Sequence, residues 1–303
     1  MQDYFKGKVL IIDDSESILF LLESILSPFF EVTSFTRAKK AFESFNNKFD
    51  LVIVDLMMPE MSGIEFIKLL RKKTEFKHIP IVVLTAKYNT EEEIAKLFDL
   101  GVNDYIQKPF LSAELLARIK THAKMKKLNE ELMEANKKLQ YIASHDELTK
   151  VYNRSAIFNF LENEILRLKR SKTKLVAMMF DIDNFKKLND TYGHQTGDYV
   201  LYRVVSLVKQ TVREVDLIGR YGGDEFLIIL PHTEIKKAMD IADRILKKIN
   251  REKFKYNNTS LKVTLSLGLS EILTDDNIDR FIERVDNALY EAKKTGRNCM
   301  KIK

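Results

Sequence analysis

Residues 51–63 read LVIVDLMMPEMSG, an apolar run that ends in an aspartate and then passes into a polar turn closed by a glycine. The run 51–54 has the length of a buried strand, and the apolar spacing of 64–71 predicts a helix after the turn. The same order of strand and helix recurs at 9–12 into 18–26 and at 81–84 into 91–100. This alternation is typical of a parallel sheet whose strands are joined by crossover helices.

The N-terminal part of the chain therefore predicts a doubly wound α/β domain. Shorter β-like runs at 31–34 and 104–107 bring its predicted parallel sheet to five strands, and a closing helix begins at Ser112. We expect three regions: this domain at 1–124, a helical linker at 125–144 and a second domain at 145–303.

The linker carries apolar residues at alternating spacings of three and four. They are Met125, Leu128, Leu132, Ala135, Leu139 and Ile142. This spacing is the a and d pattern of a coiled coil, so we expect a helical rod that contacts a second copy of the chain. A surface helix packed against its own domain gives the same pattern, and the sequence leaves that alternative open.

The second domain mixes strands, helices and a hairpin. A strand at 176–181 is followed some 40 residues later by the glycine pair 222–223, which is a frequent hairpin former. A hairpin makes the sheet at least partly antiparallel. The remaining elements predicted are helices at 154–168, about 199–212, 236–249 and 278–294, and a strand at 262–270.

Composition narrows the functional class. The 303 residues include one cysteine, Cys299, which excludes a disulfide framework and any multi-cysteine metal site. No apolar run approaches the roughly 18 residues of a membrane span, and residues 1–8 lack the apolar core of a signal peptide, so we expect a cytoplasmic protein with no membrane partner. The net charge of +6 is uneven: residues 125–303 hold 33 Lys and Arg against 26 Asp and Glu, whereas residues 1–124 hold 17 against 18.

Polar residues follow four of the predicted N-terminal strands. They are Asp13 and Asp14, Asp55, Thr85, and Lys108. Ligands of open parallel sheets bind outside the carboxyl ends of the strands, so these side chains are expected at one site. Converging carboxylates need a cation, and hard oxygen ligands suit Mg²⁺. Each acid taken singly is also a good helix cap, but four strand ends together favour a phosphoryl-transfer site.

Residues 1–124 resemble a two-component receiver domain, through Asp13-Asp14, DLMMPEMSG, Thr85-Ala86 and Lys108-Pro109-Phe110. The resemblance implies a cognate sensor histidine kinase as partner and Asp55 as the phospho-acceptor. It also implies that Asp14, Asp55 and the backbone carbonyl of Met57 hold Mg²⁺, with Asp13 beside them. Thr85, Tyr105 and Lys108 match the residues that respond to the new phosphoryl charge.

A second group of carboxylates lies in the C-terminal half. Asp181 and Asp183 end the strand at 176–181, and Asp224 and Glu225 follow the glycine pair. If the hairpin lies beside that strand, the carboxylates face one another and need divalent cations. An ordinary hairpin with acids at its tip is the alternative reading.

Residues 145–303 resemble a GGDEF diguanylate cyclase domain. The matching stretches are DELT (146–149), NR (153–154), FDIDNFK (180–186), ND (189–190), GHQTGD (193–198), GGDEF (222–226) and YEAKKTGRN (290–298). The family condenses two GTP into cyclic di-GMP with release of two pyrophosphates. The expected fold is an α/β domain with a mixed, partly antiparallel, palm-like sheet.

The resemblance also implies residue roles. Asp181, the backbone carbonyl of Ile182, Asp224 and Glu225 match Mg²⁺ ligands; the catalytic positions are Asp224, Glu225 and Lys186; the substrate-binding positions are Asn189, His194, Asp198, Lys293 and Arg297. Asn189 and Asp198 match the readers of the guanine edge, whereas Lys293 and Arg297 match phosphate contacts. Because one GTP attacks the other, two domains must meet.

Arg213 and Asp216 form an R-x-x-D pattern that ends six residues before Gly222. An ion pair at a helix end explains such a pattern equally well. At this offset from GGDEF it also resembles the family's inhibitory site for the product, cyclic di-GMP.

Three functions follow as hypotheses. The first is a phosphorylation-activated diguanylate cyclase that works as a homodimer through its receiver and linker. The second is a catalytically silent sensor of cyclic di-GMP or GTP, although such proteins usually have a broken GGDEF motif. The third is a DNA-binding regulator, disfavoured because no helix-turn-helix follows the receiver-like part, so no DNA partner is expected.

Overall fold

The fold is that of a computed structural model, which describes residues 7–46, 48–86, 90–171, 173–257, 259–273 and 276–303. The extreme N-terminal residues 1–6, used above in the signal-peptide argument, lie outside this described part. The chain divides into two compact units, Met1–Asn136 and Lys137–Lys303. This division falls inside the predicted linker.

The N-terminal unit alternates strands and helices. In chain order they are β1 (Lys8–Ile12), α1 (Glu16–Leu26), β2 (Glu31–Phe35), α2 (Ala38–Glu43), β3 (Leu51–Asp55), α3 (Gly63–Lys72), β4 (Ile81–Thr85), α4 (Glu91–Asp99), β5 (Asp104–Gln107) and α5 (Ser112–Ser144). The five strands are parallel in the order β2-β1-β3-β4-β5. The doubly wound parallel sheet predicted from the sequence is confirmed.

The central strands of this sheet are apolar on both faces because helices cover both. Val52 and Val54 of β3 join one buried cluster, whereas Leu51 and Ile53 join the other. A strand buried on both faces has no alternation of polar and apolar residues, which is why 51–54 reads as a continuous apolar run. The polar residues are thereby left for the strand ends.

The linker is helical, as predicted. Helix α5 runs without interruption for 33 residues, from the last strand of the N-terminal unit to Ser144. The five large side chains of the predicted seam are 52–62 % exposed in the single chain. Nothing in the described chain therefore covers this apolar stripe.

The C-terminal unit is built on a second five-stranded sheet. Its elements are α6 (Arg154–Ser171), β6 (Leu175–Ile182), α7 (Phe185–Tyr192), α8 (His194–Lys209), β7 (Leu217–Gly222), β8 (Glu225–Pro231), α9 (Ile235–Arg251), β9 (Phe254–Tyr256), β10 (Thr259–Leu261), β11 (Leu265–Glu271), α10 (Ile278–Lys294) and β12 (Met300–Ile302). The strand order is β12-β11-β6-β8-β7, and every pair is antiparallel except β11 with β12. The expected mixed sheet is confirmed, and β9 and β10 form a separate small hairpin.

The structure differs from the sequence-based elements at several places in the C-terminal unit, among them the short strand β12, which was not predicted. Helix α7 was not predicted, and α8 begins at His194 rather than near residue 199. The strand predicted at 262–270 is β11, which begins only at Leu265 and is preceded by the small hairpin.

The described helices include none with both the length and the apolar composition that a bilayer crossing requires.

Candidate active sites

The first site lies at the carboxyl ends of β1, β3 and β5. Asp13, which follows β1, is fully buried, and Asp55 is the last residue of β3 and also buried. The ammonium group of Lys108 bridges them, with its Nζ 2.6 Å from Asp13 Oδ2 and 2.6 Å from Asp55 Oδ1. The topology thus brings together three of the predicted residues.

Electrostatics at this site follow from burial and close charge pairing. Burial raises the pKa of Asp13 above its ordinary value, against the opposing hydrogen bonds from Lys108 and Ser15. Burial lowers the pKa of Lys108, but its hydrogen bonds to Asp13 and Asp55 outweigh that effect and raise it overall. Lys108 is therefore a fixed positive charge beside the Asp55 carboxylate.

Backbone geometry shapes the turn after Asp55. The Met57 amide donates to Asp55 Oδ2 at 2.8 Å, and Ser62 caps α3 in a reciprocal arrangement with Glu65. A Cβ on Gly63 would lie only 2.1 Å from the Asp55 carbonyl oxygen, so the chain returns past Asp55 only because residue 63 is glycine. This contact explains the glycine that closes the stretch 51–63.

The other predicted residues of this site lie at the same edge or close to it. Asp14 is exposed, Met57 has an exposed side chain, and Thr85 is buried as the last residue of β4. Tyr105 on β5 is half-buried, with its ring 6.3 Å from that of Phe98 on α4. Asp14 thus stands free of the lysine-bridged pair, on the solvent side.

The second site lies where the carboxyl end of β6 meets the start of β8. In the antiparallel ladder Asp181 is the partner of Glu225, so the two carboxylates face one another as the sequence analysis anticipated for a neighbouring hairpin. Lys293, near the end of α10, places its Nζ 2.8 Å from Asp181 Oδ2 and 3.4 Å from Glu225 Oε1. Asp224 occupies the turn between β7 and β8, after Gly223 at φ 40°.

The buried carboxylate of Asp181 has its pKa raised to about 6. Burial is the largest cause, the charges of Asp224 and Glu225 add to it, and Lys293 opposes it. Neighbouring carboxylates repel one another, and a cation between them offsets that repulsion. Here the ammonium group of Lys293 supplies part of that charge.

Helices α7 and α8 follow β6 along the chain and pack against one another. Gly193, at φ 85°, separates the two helices, and Gly197 on α8 faces Asn189 on α7. A Cβ on Gly197 would lie 1.9 Å from Asn189 Oδ1. That oxygen is buried and has no hydrogen-bond partner within the described residues, so it is an acceptor held ready for a ligand.

Comparison with known proteins assigns both halves of the chain. The family described as diguanylate cyclase, GGDEF domain, matches residues 143–299, just over half of the chain. The chain belongs to the GGDEF family. The response regulator receiver domain family matches residues 9–120.

Individual relatives agree with this assignment. The response regulator PleD of Caulobacter vibrioides is 31 % identical over 98 % of this chain, which spans 66 % of that protein. Diguanylate cyclase A of Treponema denticola is 36 % identical over 54 % of this chain, which spans 45 % of it. The chain therefore covers no more than about two thirds of these relatives.

A solved structure is also similar to this chain in its three-dimensional fold. The coiled coil and GGDEF domain of DgcB from Caulobacter crescentus, in complex with c-di-GMP, covers 62 % of this chain with a TM-score of 0.59 and 30 % identity. The match covers 99 % of that structure. It includes the same combination of a helical segment and a GGDEF domain.

The donor chemistry of both sites fits Mg²⁺. Within the described residues no three His, Cys, Asp or Glu side chains converge in a metal-binding group, and Lys108 and Lys293 each bind two of the acids. The acids nevertheless offer the hard oxygen ligands that Mg²⁺ prefers. The ligand residues themselves remain predictions.

The R-x-x-D residues of the GGDEF domain form the ion pair that the alternative reading expected. Arg213 Nη2 lies 2.8 Å from Asp216 Oδ1 and also donates to Thr233 Oγ1 at 2.6 Å. Asp216 is buried, whereas half of the Arg213 side chain is exposed. A cleft of about 320 Å³ beside it is lined by Arg213, Asp216 and Lys209, among others. The Arg213–Asp216 ion pair has a structural role, and the exposed part of the Arg213 guanidinium is accessible to an anionic ligand.

The other predicted residues of the GGDEF domain are Lys186 on α7, His194 and Asp198 on α8, and Arg297 shortly after α10. Lys186, His194, Asp198 and Arg297 are all exposed. Arg297 follows α10 in a left-handed conformation at φ 64°. Because these side chains are exposed, they are accessible to a bound ligand.

Sequence reasoning gave no role to Arg220 in the GGDEF hairpin. Its guanidinium donates to the Asp146 carboxylate and to the Gly223 carbonyl oxygen at 2.9 Å. Both partners were in motifs quoted from the sequence, but nothing in the spacing indicates that residues 146 and 220 meet. The sequence indicated a role for Arg220 only through its position, two residues before the glycine pair 222–223.

Proposed function

We propose that this protein is a diguanylate cyclase that condenses two GTP into cyclic di-GMP and is activated by phosphorylation of Asp55. One observation carries the enzymatic part: Asp181 faces Glu225 across the β6–β8 ladder, with Lys293 bound to both. The likeness to PleD supports the combination of receiver and cyclase.

The substrate would be recognised at both of its ends. The unpartnered Asn189 Oδ1 accepts from a guanine N–H, and the exposed Asp198, which directly follows Gly197 on α8, supplies a second acceptor. Guanine offers donors at N1 and N2, which two acceptors match. Lys293 and Arg297 meet the triphosphate, where their charges pair with phosphate oxygens.

Asp181, Asp224, Glu225 and the Ile182 carbonyl would hold Mg²⁺, which when bound neutralises charge on the triphosphate. The 3′-hydroxyl oxygen of one GTP attacks the α-phosphorus of the other, and an acid of the Asp224–Glu225 pair takes the hydroxyl proton. The bond from the α-phosphorus to the pyrophosphate oxygen breaks. Repetition in the opposite sense closes the ring and releases a second pyrophosphate.

One domain binds one GTP, so two domains must come face to face. The exposed apolar stripe of α5 supports pairing of two chains along the linker. On the receiver, a phosphoryl group on Asp55 adds about two negative charges beside Lys108. We propose that Thr85 and Tyr105 then rearrange and favour the paired state.

Regulation by the product would act through Arg213 and Asp216. The half-exposed Arg213 guanidinium can contact phosphate and guanine while Asp216 fixes its orientation. Cyclic di-GMP bound there would hold the two domains apart and slow turnover.

The proposal is tested by incubating the purified full chain with GTP and Mg²⁺ and separating the nucleotides by liquid chromatography. The expected result is cyclic di-GMP and two pyrophosphates per product, made faster with a small-molecule phosphodonor. ATP in place of GTP should give no product. Binding of GTP or cyclic di-GMP without turnover would instead support the silent-sensor hypothesis.

A further inference from the structure

Asp183, two residues beyond Asp181, is a buried acid that the reaction outlined above does not use. Its carboxylate accepts three hydrogen bonds: from Thr264 Oγ1 at 2.6 Å, from Ser266 Oγ at 2.6 Å and from the Asn298 backbone amide at 3.0 Å. None of these three donors is a cation. The carboxylate therefore ties β6 to β11 and to the segment after α10.

That segment has an unusual backbone. Gly296, Arg297 and Asn298 have φ values of 115°, 64° and 49°, three consecutive residues in the left-handed region. Non-glycine residues occupy this region only at an energetic cost, so surrounding contacts must hold the turn. Arg297, a predicted phosphate contact, lies in the middle of it.

Two side chains from other elements hold the turn at Asn298. Asp183 Oδ2 accepts from its backbone amide, and Asn250 on α9 donates to its side-chain oxygen at 2.9 Å. The carboxylate is the more deeply buried of the two anchors. The Arg297 amide donates to the Ala292 carbonyl oxygen at 3.2 Å, and the Asp183 contact fixes the backbone directly after Arg297.

We infer that Asp183 is a positioning residue that orients Arg297 toward the phosphates of GTP by fixing the left-handed turn 296–298. The inference rests on the proposed function, because it takes the phosphates of GTP as the ligand of Arg297. It assigns Asp183 a part in substrate binding through hydrogen-bond geometry rather than through its negative charge.

Two substitutions of Asp183 distinguish a role of its hydrogen bonds from a role of its negative charge. In Asp183→Asn, the amide oxygen still accepts from Thr264 and Asn298, while the new NH₂ donates to Ser266 Oγ, which can accept. The charge is lost but the turn is kept. In Asp183→Ala both are lost.

The experiment measures cyclic di-GMP synthesis by the full chain as a function of GTP concentration. Asp183→Ala should raise KM for GTP about tenfold, the loss expected for a misplaced arginine–phosphate contact, with a smaller effect on kcat. Asp183→Asn should stay within about twofold of the wild type. Ser266→Ala, which leaves the Asn298 contact in place, is the matched control and should behave like Asp183→Asn.

A second set of variants, made in the Arg297→Ala chain, tests whether Asp183 acts through Arg297. In an Arg297→Ala chain, Asp183→Ala should cause no further rise in KM, because the residue that it positions is gone. Equal losses in Asp183→Asn and Asp183→Ala would overturn the inference in favour of a charge effect. Additive losses in the Arg297→Ala background would overturn it as well.

Folding is checked by thermal melting of each variant. If Asp183→Ala does not fold, Asp183→Ser replaces it, because a short hydroxyl withdraws the acceptor from Asn298 but keeps a polar group in place. A wild-type chain that makes no product contradicts the proposed function itself. In that case, calorimetric binding of a non-hydrolysable GTP analogue to the same variants still decides the role of Asp183.

Discussion

Arg220 and Asp146 form a two-pronged ion pair, in which Nη1 of the arginine lies 3.2 and 3.0 Å from the two carboxylate oxygens. The Nε of the same guanidinium donates to the carbonyl oxygen of Gly223, the residue before Asp224. Asp146 lies two residues beyond the end of α5. The end of the linker helix is therefore joined to the GGDEF turn through one side chain.

The first prediction concerns this connection. Arg220→Ala should lower kcat about tenfold, because the Gly223 carbonyl loses its donor and Asp224 loses a fixed position. Lys247→Ala, which removes the exposed pair of Lys247 with Asp243, is the control and should leave kcat unchanged. A normal kcat in Arg220→Ala, measured at saturating GTP, would show that the hydrogen bond to Gly223 does not position the turn.

The second prediction concerns base recognition. In Gly197→Ala the new methyl group would meet Asn189 Oδ1 at 1.9 Å, so the asparagine must move away from the guanine edge. We expect KM for GTP to rise about tenfold or more and discrimination against ATP to weaken. Tyr202→Ala, on an exposed position of the same helix, is the control. Unchanged GTP affinity in Gly197→Ala would remove Asn189 from the binding site.

The sequence predicted the sheets and the strand-end residues well because both depend on local pattern and general topology. Once β1, β3 and β5 run parallel in one sheet, Asp13, Asp55 and Lys108 at their carboxyl ends must lie along the same edge. The pairing of Asp181 with Glu225 follows similarly from a hairpin beside a buried strand.

Other features depend on partners that are distant in the chain and carry no periodic signal. Asp183 meets Asn298 across 115 residues, and Arg220 meets Asp146 across 74. The start of α7 at Asn184 and the division between α7 and α8 at Gly193 depend on backbone conformations at positive φ, which an apolar pattern does not encode. Such contacts become visible only when the elements are placed in space.

The third prediction concerns the receiver. Asp55→Asn removes the carboxylate that would take the phosphoryl group while leaving an oxygen within reach of Lys108. We expect basal synthesis of cyclic di-GMP to persist and stimulation by a small-molecule phosphodonor to be abolished. Asp99→Asn, an exposed acid on α4, is the control and should respond like the wild type. Equal stimulation of Asp55→Asn and wild type would refute control through this aspartate.

The fourth prediction concerns product inhibition. Arg213→Ala removes the exposed guanidinium, so added cyclic di-GMP should inhibit at least about tenfold less strongly than in the wild type. Thr233→Ala, which withdraws only one hydrogen-bond partner from Arg213, should keep most of the inhibition. Because Asp216 is buried and loses its cation in Arg213→Ala, a lower melting temperature is expected too. Full inhibition of a folded Arg213→Ala chain would leave the ion pair with a structural role alone.

The fifth prediction concerns the linker seam and uses two adjacent residues of α5. Leu132 lies in the heptad seam and is 59 % exposed, whereas Met133 lies outside the seam and is 49 % exposed. In a coiled coil only the first would be buried against the partner helix, and a charge placed there costs far more than one placed on the outer face. Leu132→Asp should therefore shift sedimentation toward the monomer and reduce synthesis most strongly at low protein concentration, because two domains must meet for turnover. Met133→Asp adds the same charge one residue away and should do neither. If both variants lose association equally, the charge acts through general repulsion and the heptad seam is not the dimer contact.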